Sequence, residues 1–362
     1  MFNLFVIRPK GFNIGNDAIY LGLRHFIHQA FGHVVNLINL PATSRYESQA
    51  KGGLTARTIY EINQFGHGVI VGGGNLYENG ELDVSPDALK SLEVPLMLFS
   101  ISRGRIYNRR LELVERTDVM PDRTLVELHK RADYSLARDR ATNAYLHGLG
   151  CEKVRLGGCP TLFLNEIADT LPPLSPTDRG EALISLRHPS LMNIPLQKQA
   201  RVASDIRAFV GLLRERGQRD IRLLCHDHRD IAFAQSFGDL EYVYTDDIYT
   251  YLAMLRACAV NITYRLHSAL PCFSFGTPTI HVGYDERANS LMETAGLGEW
   301  NIDMVMSNDP VADVATRLDR LPEFLQVREK ARATWQQFGV EMTGAITAFA
   351  NDVRRYAAGN IA

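Results

Sequence analysis

Short apolar runs alternate with amphipathic stretches along almost the whole chain. Leu4–Ile7, Val34–Leu40, Gly68–Val71, Pro95–Phe99, Tyr134–Ala137 and Val154–Leu156 read as strands. Asp17–Phe31, Thr55–Phe65, Thr124–Arg131 and Asp139–Leu149 read as helices, the first with Ile19, Leu23, Phe26 and Ile27 on one face. Such alternation predicts a mostly parallel sheet with helices on both sides. The rhythm stops at Ile167–Gly180, where Leu171-Pro172-Pro173-Leu174-Ser175-Pro176 is the most proline-dense segment and reads as a linker. It then restarts with strands Ala182–Leu186, Ile221–Cys225, Tyr242–Tyr244, Val260–Thr263 and Thr279–Val282. Helices Gln197–Arg216, Ile231–Phe237, Ile248–Ala257 and Ser268–Phe275 fall between them. The expected fold is α/β, with two Rossmann-like domains at residues 1–168 and 182–320 and a linker at 169–181. Helices at 321–362 are expected to return to the first domain.

Length agrees, since 362 residues exceed what one core usually carries. The net charge of −2 supplies no basic field, so a nucleic-acid-binding role has no electrostatic support. Cys151, Cys159, Cys225, Cys258 and Cys272 are odd in number and form no CxxC pair; buried free thiols in a reducing compartment explain them best. The apolar start Met1–Ile7 is too short for a signal peptide, and no apolar run reaches transmembrane length. A cytoplasmic protein is expected, peripheral at the inner face of a membrane at most.

Candidate chemistry gathers where strands end, which is where open α/β sheets bind ligands. Val260–Thr263 runs into Tyr264-Arg265-Leu266-His267, a fixed cation beside a titratable imidazole. If the strand continued, Arg265 and His267 would share one face by the two-residue alternation. Leu183–Leu186 likewise ends in Arg187, a planar grip for carboxylate or phosphate. Gly11-Phe12-Asn13-Ile14-Gly15-Asn16-Asp17 is a turn before a helix, where backbone N–H groups favour an anion, although Asn16 or Asp17 serves equally as a plain helix cap. Gly72-Gly73-Gly74-Asn75 has more glycine than a turn needs, so close approach of a substrate is expected there. Cys225-His226-Asp227-His228 invites a metal reading, but two histidines at this spacing supply at most two ligands, and a polar loop lining the cleft fits better. Neither metal nor organic cofactor is required.

Taken together, these segments resemble polysaccharide pyruvyl transferases, over most of the chain. Asn13-Ile14-Gly15-Asn16-Asp17 is similar to the family's opening element, Val71-Gly72-Gly73-Gly74 to its Gly-rich strand end, and Ser135-Leu136-Ala137-Arg138-Asp139 to its Arg-Asp strand. Gly157-Gly158-Cys159-Pro160 is similar to its Cys-Pro turn. Arg265-Leu266-His267-Ser268-Ala269, followed by Gly276-Thr277-Pro278 and Tyr284-Asp285, is the most specific match. Three departures stand out: Phe12 and Asn16 in the opening element, Ser100-Ile101-Ser102-Arg103 in place of a Gly-Pro-like turn, and Arg287 where lysine is common.

The resemblance implies a GT-B-like arrangement and transfer of a pyruvyl group from phosphoenolpyruvate to two hydroxyls of a sugar or lipid-linked oligosaccharide, forming a cyclic ketal. It casts His267 as general acid and Arg187, Arg265 and Leu266 as donor-binding. Asn13, Gly15, Asp17, Gly73, Gly74, Asn75, Arg103 and His226 become the acceptor side or cleft. Two other readings stay open: a GT-B glycosyltransferase whose arginines hold a nucleotide-sugar diphosphate, and a non-catalytic sugar-phosphate binding protein. Asp285 and Glu286, adjacent on a loop expected to be extended, are mild evidence against a ribose-binding pair.

Overall fold

The computed structural model describes residues 1–32, 34–45, 51–175 and 180–359. Part of the expected linker (176–179) and the last three residues lie outside the described residues.

Eight strands belong to the N-terminal half: β1 (Phe2–Arg8), β2 (Val35–Pro41), β3 (Gly68–Gly74), β4 (Leu96–Ile101), β5 (Ile106–Tyr107), β6 (Leu113–Val114), β7 (Tyr134–Ala137) and β8 (Arg155–Leu156). Six follow in the C-terminal half: β9 (Ala182–Ser185), β10 (Ile221–Cys225), β11 (Glu241–Tyr244), β12 (Val260–Thr263), β13 (Thr279–Gly283) and β14 (Asn301–Asp303). They form two six-stranded parallel sheets, ordered β2-β1-β3-β4-β7-β8 and β11-β10-β9-β12-β13-β14, with β5–β6 a separate antiparallel hairpin. The chain is thus α/β with two Rossmann-like units. Central strands β3, β4, β9, β12 and β13 are buried throughout, as helices on both faces require, whereas edge strand β11 is largely exposed.

Each sheet reverses its strand order once. In the second sheet the reversal lies between β9 and β12, paired in register up to Ser185 and Thr263; in the first it lies between β1 and β3. A crevice opens beyond the carboxyl ends of the strands at such a point. Two residues past Ser185 and Thr263 stand Arg187 and Arg265, while Asn13 and Asn75 follow β1 and β3. Strand β14 escapes the sequence pattern because its three residues carry one apolar side chain, Ile302.

The final helix, Phe324–Gly359, is 36 residues long and buries a stripe that touches both halves. Phe324 stacks on Phe273 with ring centroids 5.2 Å apart, and the Trp335 indole donates to the Ala295 carbonyl at 2.9 Å. Farther along, Met342, Ile346, Phe349 and Val353 join Leu4, Val6 and Phe99 in the first sheet's core. The halves also meet directly. Arg105 pairs with Glu286, and the Tyr107 hydroxyl donates to Asp303. The Ser290 hydroxyl donates to Asp139 at 2.9 Å.

Candidate functional site

A cavity of about 160 Å³ opens between the two sets of strand ends, room for on the order of ten water-sized molecules. The N-terminal half contributes Asn13, Asn16, Asn75, Asn79, Arg116 and Arg138; the C-terminal half contributes Arg187, His226, Arg265, Leu266, His267, Tyr284, Asp285 and Arg287. The N-terminal wall therefore offers carboxamides with two guanidinium groups, and the C-terminal wall three guanidinium groups with two imidazoles.

Strand β12 ends at Thr263, so Arg265 and His267 are not on a strand, contrary to the alternation argument. Arg265 is the cap of helix Leu266–Phe275, and His267 lies in its first turn with non-helical backbone angles (φ −86, ψ 19). That irregular turn, rather than strand pleating, brings both to one cavity. A buried polar cluster anchors the turn: the Ser185 hydroxyl lies 2.8 Å from Ser268 Oγ, and the Asn261 amide donates to Ser268 Oγ at 3.0 Å. Each member is satisfied, so the cluster ties β9 and β12 to the start of the helix.

His267 Nε2 lies 3.3 Å from Arg138 Nη1. A guanidinium only donates, so Nε2 must present its lone pair and the imidazole is neutral. Burial holds the His267 pKa well below the usual histidine range, with Arg138, Arg287 and Arg265 adding to the effect. His226 is buried beside it, with Nδ1 2.7 Å from the Tyr251 hydroxyl, and burial likewise keeps it neutral. Gly15 lets the helix Ile14–Phe31 pack against both: a Cβ there would sit 2.6 Å from His226 Nε2 and 2.8 Å from His267 Cβ.

The arginines differ in how fully they are neutralised. Arg265 donates to the Leu186 carbonyl at 2.8 Å and pairs with buried Asp230. Arg287 pairs with Asp285 and, across the cleft, with buried Glu78 at 3.0 Å. Arg187 has only long contacts, 3.5 Å to Asp227 and 4.0 Å to Asp230, and its Nε lacks a hydrogen-bond partner among the described residues. Arg138 is 2 % exposed, donates to the Ser102 hydroxyl, and has no carboxylate within ion-pair distance among the described residues. Arg138 and Arg187 thus retain unspent positive charge facing the cavity.

Leu266, Arg187, Arg265, His267, Asn13, Asn75 and His226 line the cavity, and Gly15 backs it. Four other expected site residues do not line it. Gly73 and Gly74 have positive φ (66 and 101); a Cβ at Gly73 would overlap Ile19, so Gly73 accommodates the packed helix, whereas at Gly74 it is the backbone conformation that favours glycine. Asp17 pairs with Arg8 at 2.7 Å. Arg103 pairs with Glu115 at 2.7 Å and stacks 3.7 Å from the Tyr145 ring, consumed in joining a loop to a helix. Asp285 and Glu286 are not on an extended loop: Asp285 caps helix Glu286–Thr294 through the Ala288 amide, and Glu286 is held by Arg105. Arg138 and Arg287 also line the cavity, although the resemblance implies a role for neither. Arg138 carries the same signal as Arg187 and Arg265, an arginine just after a buried strand.

Known proteins align with this picture. The family model described as polysaccharide pyruvyl transferase matches residues 13–286. The chain is 34% identical over 86 residues to the amylovoran biosynthesis protein AmsJ of Erwinia amylovora, a match covering 23% of this chain and about a fifth (20%) of that relative's length. Among solved structures, S. aureus MnaA with UDP superposes with a TM-score of 0.55 at 14% identity, covering 89% of this chain and 90% of that one. Phytolacca americana UGT2 superposes with a TM-score of 0.51 at 13% identity, covering 98% and 100%. At such identities the likeness establishes the GT-B-like fold alone. No helix among the described residues is long and apolar enough to cross a membrane.

Proposed function

The chain belongs to the polysaccharide pyruvyl transferase family, and from that premise we propose that it moves a pyruvyl group from phosphoenolpyruvate to two hydroxyls of one sugar unit, closing a cyclic ketal and releasing phosphate. The acceptor in this reading is a sugar or lipid-linked oligosaccharide of a cell-envelope polysaccharide, met in the cytoplasm or at the inner membrane face. The likeness to a protein of amylovoran biosynthesis supports that setting.

One observation carries the proposal: Arg138, a buried cation with no carboxylate in ion-pair distance among the described residues, touches neutral His267 in a cavity shared with Arg187 and Arg265. The donor bears a phosphate and a carboxylate, and guanidinium forks match both. Its arrival offsets the arginines that add to burial in keeping His267 neutral, so donor binding and proton uptake by the imidazole are coupled. As Arg138 turns to the donor, Nε2 is freed to carry a proton. His267 then protonates the methylene carbon, and the electron-poor central carbon accepts one sugar oxygen. Phosphate departs with its bridging oxygen, and the second hydroxyl adds to the same carbon. Of the two hydroxyl protons, one restores the imidazolium and the other leaves with phosphate.

Incubation with phosphoenolpyruvate and a panel of lipid-linked and nucleotide-linked sugars tests this. Stoichiometric phosphate release with a ketal-bearing product is expected. Consumption of a nucleotide sugar as glycosyl donor, without phosphoenolpyruvate, would overturn it.

A further inference from the structure

The reaction cavity does not end at its asparagine wall. Asn79 lines it and also lines a shallow neighbouring cavity, which in turn shares Gly80, Asp83 and Asp118 with a groove of about 390 Å³. Arg116 stands at the junction. Its side chain is 5% exposed, pairs with Asp118 at 2.7 Å and bonds the Asn79 carboxamide. Its Nη1 has no hydrogen-bond partner among the described residues. The geometry points to a second sugar subsite in this groove, so that the acceptor is at least a disaccharide whose next unit is uncharged. This rests on the pyruvyl-transfer reading for what occupies the reaction cavity.

The groove has the mixed surface a sugar ring needs. Leu76, Leu82 and Met120 supply an apolar floor for C–H faces, while Asp83 and Asp118 supply acceptors for hydroxyls. Asp83 is pre-positioned, accepting from the Ser44 amide at 2.8 Å and the Ser44 hydroxyl at 3.1 Å. Asp118 is compensated by Arg116, so the charge that disfavours an acidic sugar is that of Asp83, which has no ion-pair partner among the described residues, and this selects a neutral unit. In the reaction cavity itself, the Asn16 and Asn75 carboxamides line the wall, offering donors and acceptors to the unit that carries the reacting hydroxyls.

Gly80 provides a clean test. It lines the groove with φ +60, and a Cβ there would meet nothing within 4 Å, so a side chain at this position has open space at the groove wall. Asparagine tolerates that backbone region. Thr124 lines the groove from helix Asp122–Arg131, so Thr124→Trp fills it from another direction. Binding is measured by calorimetry, without phosphoenolpyruvate, for methyl glycosides of glucose, galactose, mannose and N-acetylglucosamine, each against its own trisaccharide. At least one trisaccharide should bind the wild type about tenfold tighter than its monosaccharide, and that advantage should fall severalfold in Gly80→Asn and in Thr124→Trp variants of unchanged melting temperature. Equal binding of short and long sugars across the whole panel, or an advantage kept in both variants, overturns the subsite. Failure of pyruvyl transfer to every acceptor would instead count against the functional reading, because the binding measurement does not depend on turnover.

Discussion

In the proposed reaction, donor binding must change the states in which His267 and Arg138 hold each other. His267→Ala should lower kcat by about 10²–10⁴ while leaving phosphoenolpyruvate affinity within about tenfold, as expected of a proton donor acting in the transition state. Comparable loss of donor affinity with turnover kept at saturation would make the histidine a binding residue. Arg138→Met removes the cation that touches it. The acid is active when protonated, so activity falls as pH rises through its pKa; losing a neighbouring cation raises that pKa. The falling limb of the kcat–pH profile should therefore move to higher pH in this variant, alongside weaker donor binding. Arg265→Ala is a poorer probe than Arg187→Ala, since it leaves buried Asp230 with only the 4.0 Å contact to Arg187 as an ion pair and costs about 3–5 kcal/mol of stability. Two further histidines govern acid stability. Burial holds His129 down to about 4, and His281 to about 4. Their folded values are depressed, so between about pH 6.5 and 4 the unfolded chain binds more protons. Stability is full above that window and is lost as pH falls through it. Urea midpoints at pH 7 and pH 5 should differ, and His129→Asn should flatten part of the difference.

At the scale of elements, the Gly72–Gly74 segment is the clearest case of one signal with two readings. Glycine excess marks close approach, and the sequence does not say of what. Here the neighbour is Ile19, on the helix that follows β1. Gly73→Ala must hold an L-residue at φ 66 and overlap that side chain, a cost of about 2–5 kcal/mol by strain and overpacking together. Denaturant unfolding should show the full loss, with no specific effect on donor affinity. A selective donor-binding defect at unchanged stability would restore the substrate reading. Arg265 and His267 teach the converse: the expected proximity is present, but the strand alternation invoked for it is not. A cap and an irregular first turn achieve the same convergence.

For the molecule as a whole, the last helix adds to the direct contacts that hold the halves together. Its early part packs by Phe324 and Trp335 on the C-terminal half and its later part by Phe349 and Val353 on the N-terminal half. Phe349, 0% exposed, lies 6.2 Å from the Tyr134 ring and 6.4 Å from that of Phe31. Phe349→Ala should cost about 3–5 kcal/mol. Since one helix spans both units, calorimetry should show the loss in the transition of the N-terminal half first, and transfer activity falling with it as the cleft loosens.

Periodicity and strand-end chemistry by themselves determined much of this protein. Buried parallel strands read as continuous apolar runs, helices as 3.6-residue stripes, and both properties are local, so the α/β alternation and its restart are written in order along the chain. Arginine after a buried strand is local too, and it marked Arg187 and Arg265 from the sequence. Only the tertiary structure decided which of many polar residues meet. Arg138, Arg287 and Glu78 lie far apart in sequence and converge because strand order, not chain order, sets adjacency at a crevice. The same holds for what is spent elsewhere: Arg103 and Asp17 look as available in the sequence as Arg187 does. Whether a charge faces a substrate or a partner depends on Glu115 and Arg8, whose approach is a property of packing.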